Sequence, residues 1–284
     1  MKWNEVVEDY LGTLRERTGE RYGRALAGFA TWYEGTYGAA PDPALLTDEE
    51  AREWRGFLVG VRGYSASTVN VRLSAIKGLA RFCGNRIEAR GMRKVDPPIE
   101  PLSGRELGRL VRAVEGHKWG SEWLHLRNLA MVALMARAGL RVGEVVALDR
   151  SDVELRERSG WATIRQGKGL VERKAPLSLQ ARRALAAYLE QRPAMGDPAL
   201  FVSKSGLRVG ERAVQRMVKS AGQRAGIERA VTPHLLRHTF ATRFLRGGGD
   251  LATLRGILGH ANITTTSRYL HADGVRMQEM VEGL

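Results

Sequence analysis

Three short stretches of the sequence carry arginine, histidine and tyrosine side chains whose types and spacing suit chemistry on a phosphate group. The first stretch is GLRVGE, residues 139–144. Gly139 is a typical helix stop, so Arg141 is expected at the start of the next helix, where free N–H groups and the helix dipole favour an anion. A guanidinium binds two phosphate oxygens at once. The other interpretation is a surface arginine whose partner is Glu144, one helical turn later.

The second stretch, HLLRHTFAT, predicts a histidine and an arginine on one face of a helix. Thr232 as N-cap and Pro233 at the first helical position fix the start of that helix. His234 and Arg237 are three residues apart, so the imidazole and the guanidinium point the same way. His238 falls on a different face, where a structural hydrogen bond is the expected role. A surface helix without a function explains the pair equally well.

The third stretch, LGHANITTTSRYLH, places His260 directly after a glycine and Tyr269 nine residues later. The threonines of residues 264–266 are good helix caps, which explains them without any chemistry. Taken alone, Tyr269 is better explained as a buried core residue than as a nucleophile.

Helical patterns with turn breaks dominate the chain around these stretches. Residues 3–82 predict four helices; Thr47 with Glu50 forms a capping box before the third, and Ser67 or Thr68 is the expected cap of the fourth. The prolines of the following segment favour an extended linker. Helix is then expected to resume at a second capping box, formed by Ser103 and Glu106. Residues 161–176 predict two short strands around a Gly-Lys-Gly turn, and helices follow from Ser178.

The charge of the chain favours a polyanionic partner. The net charge is +14 at pH 7 with an isoelectric point near 10.4, and residues 1–98 contribute only +2, which leaves +12 for the rest. Nucleic acid is the favoured partner, and a solvated basic surface is the alternative. The single cysteine, Cys83, excludes an internal disulfide and a cysteine-based metal cluster. No apolar run is long enough for a membrane span and the N-terminus is unlike a signal peptide, so we expect a cytoplasmic protein.

The joint occurrence of GLRVGE, a lysine in the predicted hairpin, HLLRHTFAT and LGHANITTTSRYLH, in this order, resembles the tyrosine recombinase (phage integrase) family, and most closely its Xer-like members. The resemblance extends from Trp3 to His271 and is most specific over 139–271. It implies that Tyr269 is the nucleophile and that Glu144 supports the pocket. The other residues that match catalytic positions of the family are Arg141, Lys168, His234, Arg237 and His260.

The fold that the resemblance implies is mainly α-helical with a small antiparallel β-sheet. Residues 1–92 would form a helical, SAM-like core-binding domain that contacts DNA, and 93–102 a linker. Residues 103–271 would form the mixed α/β catalytic domain. The tail, 272–284, would dock on a neighbouring protomer or, alternatively, pack on its own domain.

The implied activity is site-specific recombination of double-stranded DNA through a 3′-phosphotyrosyl intermediate, by a tetramer assembled on paired sites. The biological task would be Xer-like chromosome or plasmid resolution, or mobile-element integration. No metal or other cofactor is expected, because arginines neutralise the charge that a divalent ion would otherwise neutralise. Two alternatives stay open: relaxation of DNA by a type IB topoisomerase-like enzyme, and a catalytically silent DNA-binding protein.

Two further sets of basic residues have expected roles. Lys168, in the turn of the hairpin, is favoured over Lys174 as the general acid, because flanking glycines allow a close approach to DNA. Candidates for DNA contacts on the fourth helix are Arg72, Lys77 and Arg81, for which a solvated face or plain phosphate contacts are favoured over base recognition.

Overall fold

The computed structural model describes residues 2–93, 100–117, 119–165, 172–194, 196 and 198–259. The chain divides into two compact units, Met1–Pro98 and Ile99–Leu284. The architecture is mostly helical with one small antiparallel sheet, which confirms the predicted fold class.

Four helices form the first unit, as predicted: α1 (Trp3–Gly12), α2 (Glu16–Tyr37), α3 (Asp48–Gly60) and α4 (Ala66–Phe82). The capping box of Thr47 and Glu50 is present at the start of α3. The predicted cap of α4 was wrong, because the cap is Ser65, two residues before Ser67 and three before Thr68; Ser65 accepts the hydrogen bond from the Thr68 N–H. Ser65, Ser67 and Thr68 lie within one turn, so the residue type alone did not identify which of them is the cap.

An aromatic cluster holds the first unit together. Phe29 and Trp54 are almost completely buried, and their rings meet edge to face with centroids 5.5 Å apart. Trp32 contacts both rings, with centroid distances of 5.6 Å to Phe29 and 5.1 Å to Trp54. These three residues come from α2 and α3, so aromatic packing fixes how the two helices meet.

The second unit contains seven helices and three strands among its described residues. The helices are α5 (Gly104–Glu115), α6 (Glu122–Arg137), α7 (Val142–Ala147), α8 (Leu179–Gln191), α9 (Glu211–Arg224), α10 (Pro233–Arg246) and α11 (Leu251–Leu258). The strands are β1 (Val153–Leu155), β2 (Gly160–Ile164) and β3 (Arg173–Pro176), in the order β1-β2-β3.

The two predicted strands are present as the antiparallel pair β2 and β3, with Ile164 opposite Arg173 and Trp161 opposite Pro176. The predicted Gly-Lys-Gly turn between them lies outside the described residues. Strand β1 was not predicted, because a strand of three residues in a charged stretch has too little alternation to detect. Ala162, Ile164 and Ala175 are buried and belong to the core of this unit, so one face of the sheet packs inward.

Helix α6 runs through the core of the second unit and fixes the position of the segment after it. It is buried on most of its sides and packs against α8 and α10. Gly139, which follows α6, has φ +72°, and a Cβ atom there would lie only 2.4 Å from the ring of Phe240. Only glycine fits this turn, which brings the chain to Arg141 at the start of α7.

The capping box at the start of α5 gives a pH-dependent prediction. The Ser103 N–H donates to Glu106, and Arg229 donates to the same carboxylate at 2.8 Å. The hydrogen bond from Ser103 is the main reason that the pKa of Glu106 falls from 4.5 to about 2; burial opposes the shift and Arg229 adds to it. Because the folded-state pKa is depressed, the stabilisation is present above pH 4.5 and is lost as the pH falls towards about 2.

We expect Glu106→Gln to lower the free energy of unfolding by about 1 kcal/mol at pH 7, the usual size of one charge-assisted hydrogen bond. The deficit should shrink as urea unfolding is repeated from pH 5 towards pH 2.5. Glu115→Gln, at an exposed position at the end of the same helix, is the matched control. A deficit independent of pH would contradict this account.

Candidate active site

Arg141 is the N-cap of α7, as predicted, and its side chain is paired but accessible. Its backbone N–H donates to Oε2 of Glu144 at 2.8 Å, and its Nη1 donates to Oε1 of the same residue at 2.8 Å. The predicted contact between the two residues therefore exists. Because 44% of the Arg141 side chain remains exposed, the guanidinium can still face a ligand.

Arg237 reaches the same place from α10. Thr232 caps this helix and Pro233 occupies its first turn, which confirms the predicted start. The Arg237 side chain is only 3% exposed, and it donates to the Gly139 carbonyl at 2.6 Å and to the Leu258 carbonyl at 2.8 Å. It therefore connects the turn before Arg141 to the end of α11.

Glu144 is the carboxylate shared by the arginines. It is 13% exposed, and its Oε2 lies 3.6 Å from Nη1 of Arg237. Burial on its own would raise the pKa of Glu144, but hydrogen bonds from Arg173 and from the Arg141 N–H outweigh it, and the net shift is downward. The carboxylate is thus held in its charged form among cations.

Arg173 is a third member of this cluster, and the sequence analysis missed it. Its Nη2 donates to Oε2 of Glu144 at 2.7 Å, and its Nε donates to the carbonyl of Ile257 at 2.9 Å. One signal was available: alternate residues of a strand share a face, and Arg173 is two residues before the buried Ala175.

Several predicted catalytic residues cannot be placed beside this cluster. Lys168, His260 and Tyr269 lie outside the described residues, as does the tail 272–284. The other candidates are described. His234 is exposed on the first turn of α10, three residues before Arg237; His238 is partly buried; Lys174 is exposed on β3, opposite Thr163.

The three DNA-contact candidates of α4 are on different parts of the helix. Lys77 and Arg81 are one turn apart, whereas Arg72 is roughly 140° away around the axis from Lys77. The Arg72 guanidinium lies 4.7 Å from the centre of the Tyr64 ring. It borders a cavity of about 570 Å³ whose lining also includes Arg24, Arg62, Trp32, Trp54 and Phe57.

Helix α9 carries a basic face that the sequence analysis did not single out. Val214, Met217, Val218 and Ala221 are buried on one side of it. The opposite side is exposed and carries Arg212, Gln215, Arg216, Lys219 and Gln223. The helical spacing of these polar residues in ERAVQRMVKSAGQR was the signal available for this face.

Two kinds of feature are absent from the described part of the chain. There, no group of three or more His, Cys, Asp or Glu side chains is arranged to hold a metal ion. Within the same ranges no helix combines the length and apolar character that a bilayer crossing needs.

The cluster is suited to binding a phosphodiester. The guanidiniums of Arg141, Arg173 and Arg237 surround one carboxylate, that of Glu144, which leaves a net charge of +2. Attack on a phosphodiester gathers negative charge on the non-bridging oxygens, and cations fixed in advance stabilise that charge without reorganising. Hydrogen bonds to backbone carbonyls hold Arg237 and Arg173 in place.

Comparison with known proteins agrees with this geometry. Residues 101–275 match the model of the "Phage integrase family". Tyrosine recombinase XerC of Vibrio parahaemolyticus serotype O3:K6 is 38% identical over 222 residues, 74% of this chain and 69% of that protein. Tyrosine recombinase XerD of Mycobacterium tuberculosis (strain CDC 1551 / Oshkosh) is 34% identical over 224 residues, 74% of this chain and 71% of that protein.

Among solved structures, the XerH site-specific recombinase bound to a palindromic difH substrate, in a post-cleavage complex, has the same fold. Its TM-score is 0.77 at 21% identity, with 93% of this chain and 78% of that chain covered. The match to the family model and the identity to the Xer relatives lead to one conclusion: this chain belongs to the phage integrase family of tyrosine recombinases.

Proposed function

We propose that this protein is a site-specific DNA recombinase, which cleaves and rejoins DNA strands through a covalent 3′-phosphotyrosyl bond to Tyr269. The cluster of Arg141, Glu144, Arg173 and Arg237 carries the proposal, because it brings cations from three segments of the chain to one partly accessible place. Family membership supports the same activity.

The proposed chemistry assigns one role to each residue. A phenol has an ordinary pKa of about 10, so Tyr269 needs a base or an electropositive pocket to attack at neutral pH. His234 is the proposed base. Arg141 and Arg237 stabilise the charge that develops on the phosphate, and His260 donates a further hydrogen bond. Lys168 protonates the departing 5′ oxygen.

The substrate is double-stranded DNA. We assign major-groove contacts to the exposed face of α9, because an α-helix fits that groove and its Arg, Lys and Gln side chains suit base edges and phosphates. In the first unit, the proposed core-binding domain of residues 1–92, Arg72 and the arginines beside its cavity supply phosphate contacts. The Tyr64 ring holds the Arg72 guanidinium in place.

The recombinase reading is favoured over the two alternatives. A type IB topoisomerase and a silent DNA-binding protein would both bind DNA. The relatives named above are recombinases, however, and their similarity extends over most of this chain. The task that we propose is Xer-like resolution of chromosomes or plasmids, with mobile-element integration as the second candidate. A cytoplasmic location is part of the proposal and agrees with a chain that has a single cysteine.

The direct test is to incubate the protein with a pool of random DNA duplexes, and to sequence the fragments that stay attached to it in denaturant. We expect one recurrent sequence, attached through its 3′ phosphate. Attachment to unrelated sequences together with relaxation of supercoiled DNA would favour the topoisomerase. A protein that binds duplexes but is never attached would favour the silent binding protein.

Assembly into a tetramer on paired sites is also part of the proposal. The tail, which lies outside the described residues, includes Val275, Met280, Val281 and Leu284, and a short helix with such an apolar face is marginal unless it docks on something. We propose that it docks on a neighbouring protomer.

Deletion of 274–284 is therefore expected to impair recombination and cooperative assembly on paired sites more than binding to a single site. Gel-shift titration with single-site and paired-site duplexes measures the two effects. Equal loss of both would favour a tail that packs on its own domain.

A further inference from the structure

Arg173 occupies an unusual position beneath the end of α11. Only 9% of its side-chain surface is exposed, yet it is a cation at the first residue of β3. Two of its nitrogens are bonded, to Glu144 and to the Ile257 carbonyl, whereas its Nη1 is buried and has no hydrogen-bond partner among the residues that the structure describes. Burying a guanidinium and leaving one donor unsatisfied both cost free energy. Stability alone is therefore a poor explanation of this arginine.

The two contacts of Arg173 join parts of the site that are far apart in sequence. Ile257 is in the last turn of α11, and the next carbonyl, that of Leu258, accepts from Arg237. A helix C-terminus attracts cations, so two buried arginines hold this end of α11. Through Glu144, the same guanidinium is connected to Arg141.

Gly259, the C-cap of α11, packs closely against the Arg173 side chain. It has φ +63°, and a Cβ atom at this position would lie 2.9 Å from both Cδ and Nη1 of Arg173. A side chain there would displace the guanidinium. The position of Arg173 therefore depends on the backbone conformation of Gly259. In the sequence, His260 is the next residue.

We propose that Arg173 is a positioning residue for strand cleavage, which holds Glu144 and the end of α11 so that Arg141 and Arg237 act on one phosphate. It acts through those residues, because its described hydrogen bonds are to Glu144 and to the Ile257 carbonyl. The proposal rests on the proposed function of the site. It extends that function to an arginine outside the set of residues that the family resemblance implies.

Arg192 offers a matched control, because its guanidinium also donates hydrogen bonds to backbone carbonyls. It donates to the Leu200 carbonyl at 3.2 Å and to the Ala199 carbonyl at 2.9 Å, and these two carbonyls are not part of the cluster. Arg192→Met removes a carbonyl-binding arginine from the same unit and leaves the proposed site intact.

The experiment measures single-turnover cleavage of the duplex recovered by covalent trapping with the wild-type protein. Arg173→Met should slow the cleavage rate constant by roughly 10- to 100-fold, the cost of misplacing catalytic groups by about 1 Å. The fraction of protein that eventually cleaves and the Kd for the duplex should stay close to wild type. Arg173→Lys should recover part of the rate, because an ammonium keeps the charge but not the planar pair of donors. Arg192→Met should cleave at the wild-type rate constant.

A purely structural role gives a different pattern. The cleaving fraction would then fall, while the protein that still cleaves would do so at the wild-type rate constant; that result, or equal slowing in Arg192→Met, overturns the proposal. If Arg173→Met does not fold, Arg173→Lys decides, and a wild-type rate constant in it would count against positioning.

Hydrogen exchange separates this proposal from the proposed function. If the wild-type protein never attaches to DNA, the function fails, but the contact with α11 is still measurable. Amide exchange in 251–258 should be faster in Arg173→Met than in wild type, with exchange in α8 unchanged. Equal exchange in α11 would overturn the positioning role whatever the activity.

Discussion

Tyr269→Phe is expected to abolish the covalent protein–DNA adduct while leaving the affinity for the duplex within about twofold of wild type. The substitution removes one oxygen and keeps the ring, so only the proposed nucleophile is lost. Affinity rests on phosphate contacts from Lys and Arg side chains, which the substitution does not touch. Gel electrophoresis in denaturant measures the adduct, and a filter-binding titration measures the affinity.

Tyr64→Phe is the matched control for this prediction. Tyr64 is a partly buried tyrosine whose ring lies under the Arg72 guanidinium, and phenylalanine keeps that ring. The Tyr64→Phe protein should form the adduct as wild type does. An adduct that persists in Tyr269→Phe would mean that another residue attacks the phosphate, and the assignment of the nucleophile would be wrong.

Local signals in the sequence were sufficient for most helix starts. The capping boxes at Thr47 and Ser103, and the Thr232 cap followed by Pro233, are all present. A cap is a contact between residues two or three positions apart, so its partners are visible in a short stretch of sequence. The same locality explains the error at α4, where three hydroxyl residues compete within one turn.

The assembly of the site was not predictable in this way. The contact between Arg237 and the Gly139 carbonyl joins residues 98 positions apart. No periodicity of either helix predicts that contact, and only the resemblance to a family placed Arg141, Glu144 and Arg237 together. Arg173 was missed because it is one of several basic residues around a predicted turn, and its partners Glu144 and Ile257 are far from it in the sequence.

The charge balance of the cluster explains why the carboxylate is needed. Without Glu144, the guanidiniums of Arg141, Arg173 and Arg237 would repel one another in a partly buried space. With it, the arginines stay close and a net positive charge is left for a phosphate. Because the folded-state pKa of Glu144 is lowered, this balance should survive mild acidification and fail only as the pH falls below the ordinary range of a carboxyl group.

Lys168→Ala is expected to slow strand cleavage by roughly 10²- to 10⁴-fold, the usual effect of losing a general acid, with little change in DNA binding. Lys168 lies outside the described residues, so this role is argued from the sequence and from the chemistry of the leaving group. An alkoxide leaves with difficulty unless a proton reaches it, and a lysine between Gly167 and Gly169 can approach a DNA backbone closely. The competing candidate, Lys174, is exposed on β3 opposite Thr163.

A substrate with sulfur in place of the bridging 5′ oxygen distinguishes proton delivery from charge stabilisation. A thiolate is a far better leaving group than an alkoxide, because a thiol has a pKa of about 8.5 and needs no proton to depart at neutral pH. The sulfur substrate should therefore restore most of the cleavage rate to Lys168→Ala. It should not restore the rate of Arg237→Ala, whose defect is the loss of a buried cation that stabilises charge on the non-bridging oxygens.

Rescue of Lys174→Ala instead of Lys168→Ala would reverse the roles of the two lysines. Rescue of neither would assign proton delivery to another group, with His234 as the next candidate.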